Sequence, residues 1–287
     1  MTLRRLLQAA RHRLAANHDP GAAPQLEAEL LLAQTLGVDR AYLFAHANDE
    51  APEGVESTFQ RLVGRRSRGE PLAYITGEQE FWSLPLKVNP AVLIPRPETE
   101  LLVELVLERL PEAPDTRVAD IGTGSGAIAL AIASERPEAE VHAVDLSAEA
   151  IAVAQGNAKA LGLSAVTFHT GSWCDPLDGP FDVIASNPPY VNVNDEHLLT
   201  GDLRFEPRLA LTPGEDELSA FRAIAKGAAA CLNPGGWLMF EHGYAQGEAV
   251  RGLLERTGWG AVATHQDLAR KDRVTVARRA AMPQQTD

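Results

Sequence analysis

The sequence has 287 residues, enough for one large domain or for a large domain and a small one. Hydrophobic residues make up 45% and charged residues 23%, values that argue against a mostly disordered chain. The formal net charge of −13 disfavours general nucleic-acid binding, because a globally acidic surface repels phosphate groups.

The apolar stretches and the cysteines predict the environment of the protein. The longest apolar stretch, at 127–133, is far shorter than the ~20 residues that a membrane span needs, so no membrane segment is expected. Cys174 and Cys231 are the two cysteines, too few for a disulfide framework. We therefore expect a protein of a reducing compartment, in the cytoplasm.

The first eighty residues have helical patterns. Residues 1–16 contain no acidic residue, as in a transit peptide, but their leucines follow a helical repeat and predict a structural helix over 3–16. Pro24 stands near the start of a second helix, which Gly37 ends. A further amphipathic pattern covers 55–63. The cluster of Arg61, Arg65, Arg66 and Arg68 predicts either a solvated helix face or a contact for an acidic partner or RNA.

Strand and helix patterns alternate over residues 116–277. The strand patterns lie at 117–121, 140–144, 165–169, 181–185, 237–241, 261–265 and 273–277. The helical patterns lie at 126–134, 148–161, 217–231 and 245–257. This alternation predicts an α/β fold with a doubly wound, mainly parallel, seven-stranded Rossmann-like sheet, whose last two strands form an antiparallel hairpin.

These patterns divide the chain into four parts. They are a small all-helical domain over 1–79, a hairpin linker over 80–92, the α/β domain over 93–279 and a flexible polar tail over 280–287.

A glycine-rich turn follows the first predicted strand of the sheet and opens a helix. Its sequence from Asp120 to Gly126 is D-I-G-T-G-S-G, and Asp145 ends the next strand. Ligands of doubly wound sheets bind at the carboxyl ends of the strands, where glycines let the backbone approach closely. An acidic residue at the place of Asp145 can bond both hydroxyls of a ribose. The pattern therefore predicts a nucleoside cofactor.

The glycine spacing narrows the choice of cofactor. G-x-G-x-G lacks the third glycine position of the dinucleotide fingerprint G-x-G-x-x-G, and an acid stands two positions before the first glycine. This form resembles the S-adenosylmethionine-dependent methyltransferases. A purely structural turn and a nicotinamide-binding domain are the alternatives.

A second motif, Asn187-Pro188-Pro189-Tyr190, follows the fourth predicted strand. Prolines lack N–H donors, so nearby carbonyl groups stay available as acceptors, while Asn187 adds a side-chain carbonyl and Tyr190 an aromatic face. A rigid structural loop is the alternative. The motif resembles methyltransferases of planar nitrogens, namely adenine or cytosine amines or the glutamine amide.

The chemistry of a planar nitrogen explains why this motif suits it. Such a nitrogen is a weak nucleophile, because its lone pair is delocalised. Asn187 through its side-chain oxygen and Pro188 through its backbone carbonyl can accept its two hydrogens and aim it at a methyl donor. No pattern indicates a metal, and none is expected.

Six dispersed motifs resemble the release factor glutamine methyltransferases, the HemK family. They are EFWSLPLKV, IPRPETE, DIGTGSGAIALA, SNPPY, GDLRFEPRLAL and FEHGYAQGEAVR, in this order within 70–277. The resemblance implies S-adenosylmethionine as methyl donor, S-adenosylhomocysteine as product, and the glutamine of the Gly-Gly-Gln motif of class I peptide-chain release factors as acceptor. The helical domain of the family helps to dock that substrate. We further expect a monomer without a membrane or direct nucleic-acid partner.

The resemblance also assigns roles to residues of this sequence. The cofactor-binding residues are Gly122, Thr123, Gly124, Ser125, Gly126, Asp145, Trp173 and Asn187, with Asp145 on the ribose and Trp173 on the adenine. The substrate-binding residues are Arg96, Asn187, Pro188, Pro189 and Tyr190, of which Asn187 and Pro188 are the catalytic pair. No metal ligands are assigned.

Three of these assignments have alternatives or open points. Trp173 is alternatively an ordinary core aromatic residue. Arg96 is alternatively paired with Glu98 or Glu100. Ser172 stands where the family usually has an acid next to the adenine, a contact for which Asp175 could compensate.

Three other functions stay open at this point. The first is a sister enzyme that methylates a glutamine of a ribosomal protein, although its segment at the place of IPRPETE typically differs. The second is a DNA adenine methyltransferase, which the net charge and the helical domain disfavour. The third is a non-catalytic nucleoside-binding adaptor. Such a protein would not need the pair of oxygen acceptors at Asn187 and Pro188, which we call the amide clamp.

Overall fold

The computed structural model describes residues 1–16 and 23–280, and these form two compact units. Unit 1 consists of Met1–Glu78 together with Leu199–Phe205, and unit 2 begins at Gln79. The sequence pattern did not indicate that 199–205 groups with the helical unit. The predicted tail falls almost entirely on 281–287, outside the described residues.

Unit 1 is built from helices. They are α1 (Leu3–Ala15), α2 (Pro24–Leu36), α3 (Arg40–Ala45), α4 (Val55–Arg66) and α5 (Leu72–Thr76). Leu6, Leu31 and Phe59 are fully buried in its core, so the first helix is a structural one. Pro24 is the first residue of α2, and Gly37 ends that helix in the left-handed region at φ 68°. The helices α3 and α5 were not predicted, because five or six residues are too few for a periodic pattern.

Two arginines of α4 form ion pairs within unit 1. Arg65 donates from Nε to Glu70 Oε2 at 2.8 Å, and Arg66 donates from Nη2 to Glu27 Oε1 at 2.9 Å. Arg61 and Arg68 are exposed. Two of these four arginines are therefore paired within unit 1, and two lie on the exposed surface.

The predicted hairpin is present as a two-stranded sheet, which lies at the start of unit 2 and not in a linker between the units. Its strands are β1 (Glu78–Phe81) and β2 (Leu84–Lys87). Trp82 and Ser83 connect them with φ 53° and 58°.

Unit 2 contains a seven-stranded sheet, which confirms the predicted fold class. Its strands are β3 (Arg117–Ile121), β4 (Glu140–Asp145), β5 (Thr167–Thr170), β6 (Phe181–Ser186), β7 (Leu232–Glu241), β8 (Gly260–Gln266) and β9 (Asp272–Arg278). Its helices are α6 (Glu100–Arg109), α7 (Ala127–Glu135), α8 (Ala148–Leu161), α9 (Arg208–Leu211), α10 (Ser219–Cys231) and α11 (Gly247–Arg256). The strand order is β5-β4-β3-β6-β7-β9-β8, parallel from β5 to β7, with β9 antiparallel to both its neighbours.

The sheet is covered by apolar side chains on both faces. Leu102, Val106 and Ile132 belong to one buried cluster, while Phe181 and Phe221 belong to the other. Because helices cover both faces, β3 and β6 are buried except for one half-buried residue in each, and their sequences are mainly apolar rather than alternating.

The register of the central strands brings three chain segments to one edge. Ile121, the last residue of β3, pairs with Val144 of β4 on one side and with Ser186 of β6 on the other. The loops that follow these strands therefore start side by side. This is the switch point of a doubly wound sheet, where ligands bind.

Candidate active site

The glycine loop after β3 is tied to the end of β4 through its backbone. The amides of Gly122 and Thr123 both donate to the carbonyl oxygen of Val144, at 2.8 and 2.9 Å. Gly124 has φ 57°, a left-handed conformation in which a β-carbon is strained. Gly126 has φ 87°, and a β-carbon there would lie 3.0 Å from Leu130 Cδ1. Glycine thus allows both the turn and the close packing of α7.

Asp145 closes the loop from the neighbouring strand. Its Oδ2 accepts from the Gly124 amide at 2.9 Å, and its Oδ1 accepts from the Ser147 amide at 2.9 Å. Burial raises the pKa of this carboxyl group, and the backbone donors oppose that shift. Since each carboxylate oxygen has more than one lone pair, both can still accept from the hydroxyls of a diol.

Asp120 supports the loop from inside the protein. It is fully buried, and its Oδ2 accepts from Thr123 Oγ1 at 2.6 Å and from the Ala129 amide at 3.2 Å. Among the described residues its Oδ1 has no hydrogen-bond partner. Burial raises the pKa of Asp120 to about 7, and the nearby charge of Asp145 acts in the same direction. A buried polar atom without a partner beneath the loop suits a site that binds a polar ligand.

A cavity of about 510 Å³ opens at this edge of the sheet. Its volume is in the range of small-molecule sites. The predicted site residues that line it are Gly122, Gly124, Asp145, Trp173, Asn187 and Pro189. The predicted residues that do not line it are Arg96, Thr123, Ser125, Gly126, Pro188 and Tyr190. The glycine loop, Asp145 and part of the Asn187–Tyr190 motif therefore share one cavity, and the donors and acceptors around it fit a nucleoside.

The cavity wall also includes segments that the sequence analysis did not assign. They are Ala91–Leu93 before α6 and several residues of the stretch from Pro207 to Pro213. Trp173 is half-buried with φ 46° and lines the cavity while packing against the core. Ser172 also lines it, whereas Asp175 is exposed and does not. The compensating contact from Asp175 is therefore not in place.

The motif Asn187-Pro188-Pro189-Tyr190, called the amide motif below, begins where β6 ends. Ser186 is fully buried and donates from Oγ to the carbonyl of Ile121 at 2.6 Å, which joins β6 to β3 at this edge. The Asn187 Nδ2 donates to Thr99 Oγ1 at 3.3 Å. The side-chain amide nitrogen of Asn187 is thus held by a residue of the IPRPETE segment, and its oxygen remains an acceptor.

Tyr190 is anchored rather than free at the rim. Its carbonyl oxygen accepts from Gln246 Nε2 at 3.0 Å, and the nearby charge of Arg273 acts to lower the pKa of its hydroxyl. Burial raises the pKa of the Tyr190 hydroxyl, so this group stays neutral. Pro188 is buried beside it. The loop is therefore a fixed support for Asn187.

Arg96 pairs with a carboxylate that the sequence analysis did not consider. Its Nη2 donates to the buried Glu206 Oε1, and Glu206 Oε2 accepts from the Ile94 amide at 3.2 Å. Glu100, one of the two predicted partners, instead accepts from the Trp82 amide at 2.9 Å. The alternative that named Glu98 or Glu100 was wrong, because the chain brings 206 next to 94–96. A direct contact of Arg96 with substrate stays a prediction.

Four buried polar residues of the site were missed at the sequence level: Thr99, Asn157, Glu206 and Glu241. Asn157 donates to the carbonyls of Ser125 and Lys87 at 2.9 and 3.0 Å, and accepts from the Lys87 amide at 2.8 Å. It therefore joins the glycine loop to β2. A lone asparagine on the alanine-rich side of α8 was the signal that could have revealed it.

Residues 1–16 and 23–280 contain neither a candidate metal cluster nor a candidate membrane helix. These residues contain no group of three or more histidine, cysteine, aspartate or glutamate side chains that could hold a metal ion. They also include no helix whose length and hydropathy would let it cross a membrane.

Sequence comparison gives relatives over nearly the whole chain. A release factor glutamine methyltransferase of Xylella fastidiosa is 54% identical over 255 residues, which cover 88% of this chain and 93% of the relative. One from Vibrio cholerae is 46% identical over 278 residues, 96% of both chains. The chain belongs to the release factor glutamine methyltransferase family. This confirms the resemblance seen in the six motifs.

Family models and solved structures agree with this membership. Residues 5–77 match the model of the PrmC N-terminal domain, and residues 99–204 match that of the methyltransferase small domain. A T. thermophilus 16S rRNA methyltransferase, solved with AdoMet and guanosine, has a TM-score of 0.52 at 24% identity over 70% of this chain and 49% of that one. A Pyrococcus furiosus methyltransferase has a TM-score of 0.50 at 18% identity over 69% and 89%. These structures share the methyltransferase fold.

Proposed function

We propose that this protein transfers a methyl group from S-adenosylmethionine to the side-chain amide nitrogen of the glutamine in the Gly-Gly-Gln motif of class I release factors. The observation behind the proposal is the placement of Asn187 beside the glycine loop and Asp145 in one cavity, in a chain of this family. We place the reaction in the cytoplasm. The monomeric state and the absence of direct nucleic-acid binding stay predictions.

The cofactor would lie against the loop after β3. Gly122 and Gly124 offer backbone without β-carbons, and the two oxygens of Asp145 can accept from the ribose hydroxyls. Trp173 supplies a flat apolar surface for the adenine. When bound, S-adenosylmethionine supplies an electrophilic methyl group on a sulfonium sulfur, which is a good leaving group.

The acceptor would be held by two oxygen atoms of the amide motif. Asn187 Oδ1 accepts one N–H of the glutamine amide, and the Pro188 carbonyl accepts the other. Both bonds strengthen as the nitrogen takes on positive charge and sp³ character, so they stabilise the transition state more than the ground state. The nitrogen becomes acidic only once its new C–N bond has formed, so its proton can then leave to water without a strong base.

The acceptor class can be tested directly. The protein is incubated with methyl-labelled S-adenosylmethionine and, in separate reactions, a class I release factor, total ribosomal proteins or duplex DNA. We expect label in the release factor at its Gly-Gly-Gln glutamine. A release factor whose motif glutamine is replaced by asparagine is the matched control and should stay unlabelled. An unlabelled release factor beside labelled ribosomal protein or DNA would overturn the proposal.

A further inference from the structure

The two ends of an asparagine amide differ in chemistry but hardly in shape. Only the carbonyl end of Asn187 can accept an N–H from the acceptor, because the NH₂ end would meet that N–H donor to donor. A flipped side chain would therefore fill the same space and hold nothing. The site therefore needs a contact that fixes which end of the Asn187 side-chain amide faces the cavity.

The Nδ2 of Asn187 donates a hydrogen bond of 3.3 Å to Thr99 Oγ1. Thr99 ends the 3₁₀ turn Pro97–Thr99 and is 4% exposed. A threonine hydroxyl can both accept and donate, so by itself it does not distinguish the two ends of the amide. Another group must therefore fix which of the two side chains, Asn187 or Thr99, donates this hydrogen bond.

Glu241 is the group that can decide it. The register pair Ser186 and Phe240 places Asn187 and Glu241 one residue further along the adjacent parallel strands β6 and β7. The side chains of Thr99 and Asn187 lie near the Glu241 carboxyl group and both act to lower its pKa. In its ionised form the Glu241 carboxyl group accepts only, so this form favours the NH₂ end of Asn187 and the hydroxyl proton of Thr99.

The burial of Glu241 is costly for the fold. It is 2% exposed, and its Oε2 has no hydrogen-bond partner among the described residues. Burial raises its pKa to about 7, against the opposing effects of Thr99, Arg273 and Asn187, while the charge of Glu98 adds to the rise. Apolar residues are commonly as stable as a buried charge or better, so an acid at this place indicates a role other than stability.

We propose that Glu241 is a positioning residue that, with Thr99, holds the amide nitrogen of Asn187 and so turns its Oδ1 toward the acceptor nitrogen. The inference rests on the proposed function, since it concerns the same amide clamp. Glu241 acts through Asn187 and does not touch the acceptor.

The decisive experiment is a double-mutant cycle in single-turnover methyl transfer to the release factor. Glu241→Gln can still bond Thr99, but its own amide allows either orientation of Asn187. We expect a tenfold or greater fall in kcat, with KM for the release factor and Kd for S-adenosylhomocysteine within about threefold of wild type. In the Asn187→Ala background, the same substitution should change the rate less than twofold.

Thr99 gives a second variant in case Glu241→Gln folds poorly. Thr99→Val removes the hydroxyl and should lower kcat about tenfold, whereas Thr99→Ser should restore it to within threefold. Thr116→Val is the matched control: this threonine is 3% exposed, bonds the Ala113 carbonyl at 2.8 Å and lies at the other end of the sheet. It should lose stability without losing kcat. Glu29→Gln, a buried acid of α2, is the control for Glu241→Gln.

The outcomes separate the two proposals. Wild-type protein that fails to label the release factor contradicts the proposed function. Active wild-type protein in which Glu241→Gln has full kcat, or lowers the rate equally with and without Asn187, overturns the positioning role. A Thr99→Val variant with full kcat does the same.

Discussion

Backbone amides hold the loop after β3 in place. Those of Gly122 and Thr123 donate hydrogen bonds to the Val144 carbonyl, and that of Gly124 donates to the Asp145 carboxylate. At the end of β6, a side chain bonds Asn187 instead, that of Thr99, and Glu241 lies close to both. We call the first region the cofactor half of the cavity and the second the acceptor half.

The difference follows from what each half must bind. A cofactor of constant shape can be held by fixed backbone and by one carboxylate, so local sequence is enough to build its half. An amide that must be aimed at a methyl group needs one side chain held in one orientation, and that takes contacts from distant segments. We therefore expect changes in the cofactor half to alter cofactor binding, and changes in the acceptor half to alter turnover.

The largest expected effect is the loss of the amide clamp. Asn187→Ala should lower kcat by about 10²–10³-fold, the usual cost of removing one transition-state hydrogen bond. The reason is that the glutamine nitrogen loses one of its two hydrogen-bond acceptors. Kd for S-adenosylhomocysteine, measured by calorimetry, should stay within about threefold. Asn233→Ala, which removes a 2.8 Å bond to Asp182 at the far end of β7, is the control and should keep kcat. Wild-type turnover by Asn187→Ala would refute the clamp.

The next effect belongs to the cofactor half. Asp145→Ala should weaken cofactor binding by about 10–100-fold, because it removes a charged acceptor for the ribose and leaves the Gly124 amide without its partner. At saturating cofactor, kcat should fall much less. Calorimetry and saturation kinetics measure the two effects separately, with the exposed Glu149 replaced by alanine as control. Unchanged affinity in Asp145→Ala would mean that the halves are not divided in this way.

The glycine loop gives a stability prediction. Gly126→Ala should lower the free energy of unfolding by about 2–3 kcal/mol, because a β-carbon is strained at φ 87° and lies 3.0 Å from Leu130 Cδ1. Gly162→Ala is the matched control: at φ 73° it has the same strain but no neighbour within 4 Å, so it should cost only about 1 kcal/mol. Denaturant titration measures both. Equal losses would show that close packing at Gly126 is unimportant.

The last effect concerns pH and is spread over about three pH units. Folding raises the pKa of Asp120 from 3.8 to about 7, so as pH rises the unfolded chain loses this proton first. This group therefore lowers the free energy of unfolding progressively between these two pH values, by up to about 1 kcal/mol per pH unit, and adds no slope outside them. Asp120→Asn should remove that slope, measured by urea titrations from pH 4 to 8. An unchanged slope would contradict the shifted pKa, since Glu241 contributes equally to both proteins.

The two halves also differ in how well the sequence predicts them. The glycine spacing and Asp145 at the end of β4 predict the cofactor half, because turn geometry and strand ends are local features. The mainly parallel sheet and its antiparallel last pair likewise follow from the alternation of elements, whereas the strand order was not predicted. The acceptor half was predicted only as far as Asn187-Pro188-Pro189-Tyr190.

The remainder of the acceptor half could not be predicted, because its contacts are distant in sequence. Arg96 pairs with Glu206, about 110 residues away, and Thr99 meets Asn187, 88 residues away. No periodicity indicates which of many acidic residues is buried beside a given partner. The grouping of 199–205 with the helical unit escaped notice for the same reason.

A crystal structure with S-adenosylhomocysteine and free glutamine is the most direct test of the amide clamp. We predict Asn187 Oδ1 and the Pro188 carbonyl oxygen each within about 3 Å of the glutamine side-chain nitrogen, a normal hydrogen-bond distance, with that nitrogen facing the sulfur. Asn187 turned away from the nucleoside, or bound to the glutamine through its Nδ2, would contradict the account.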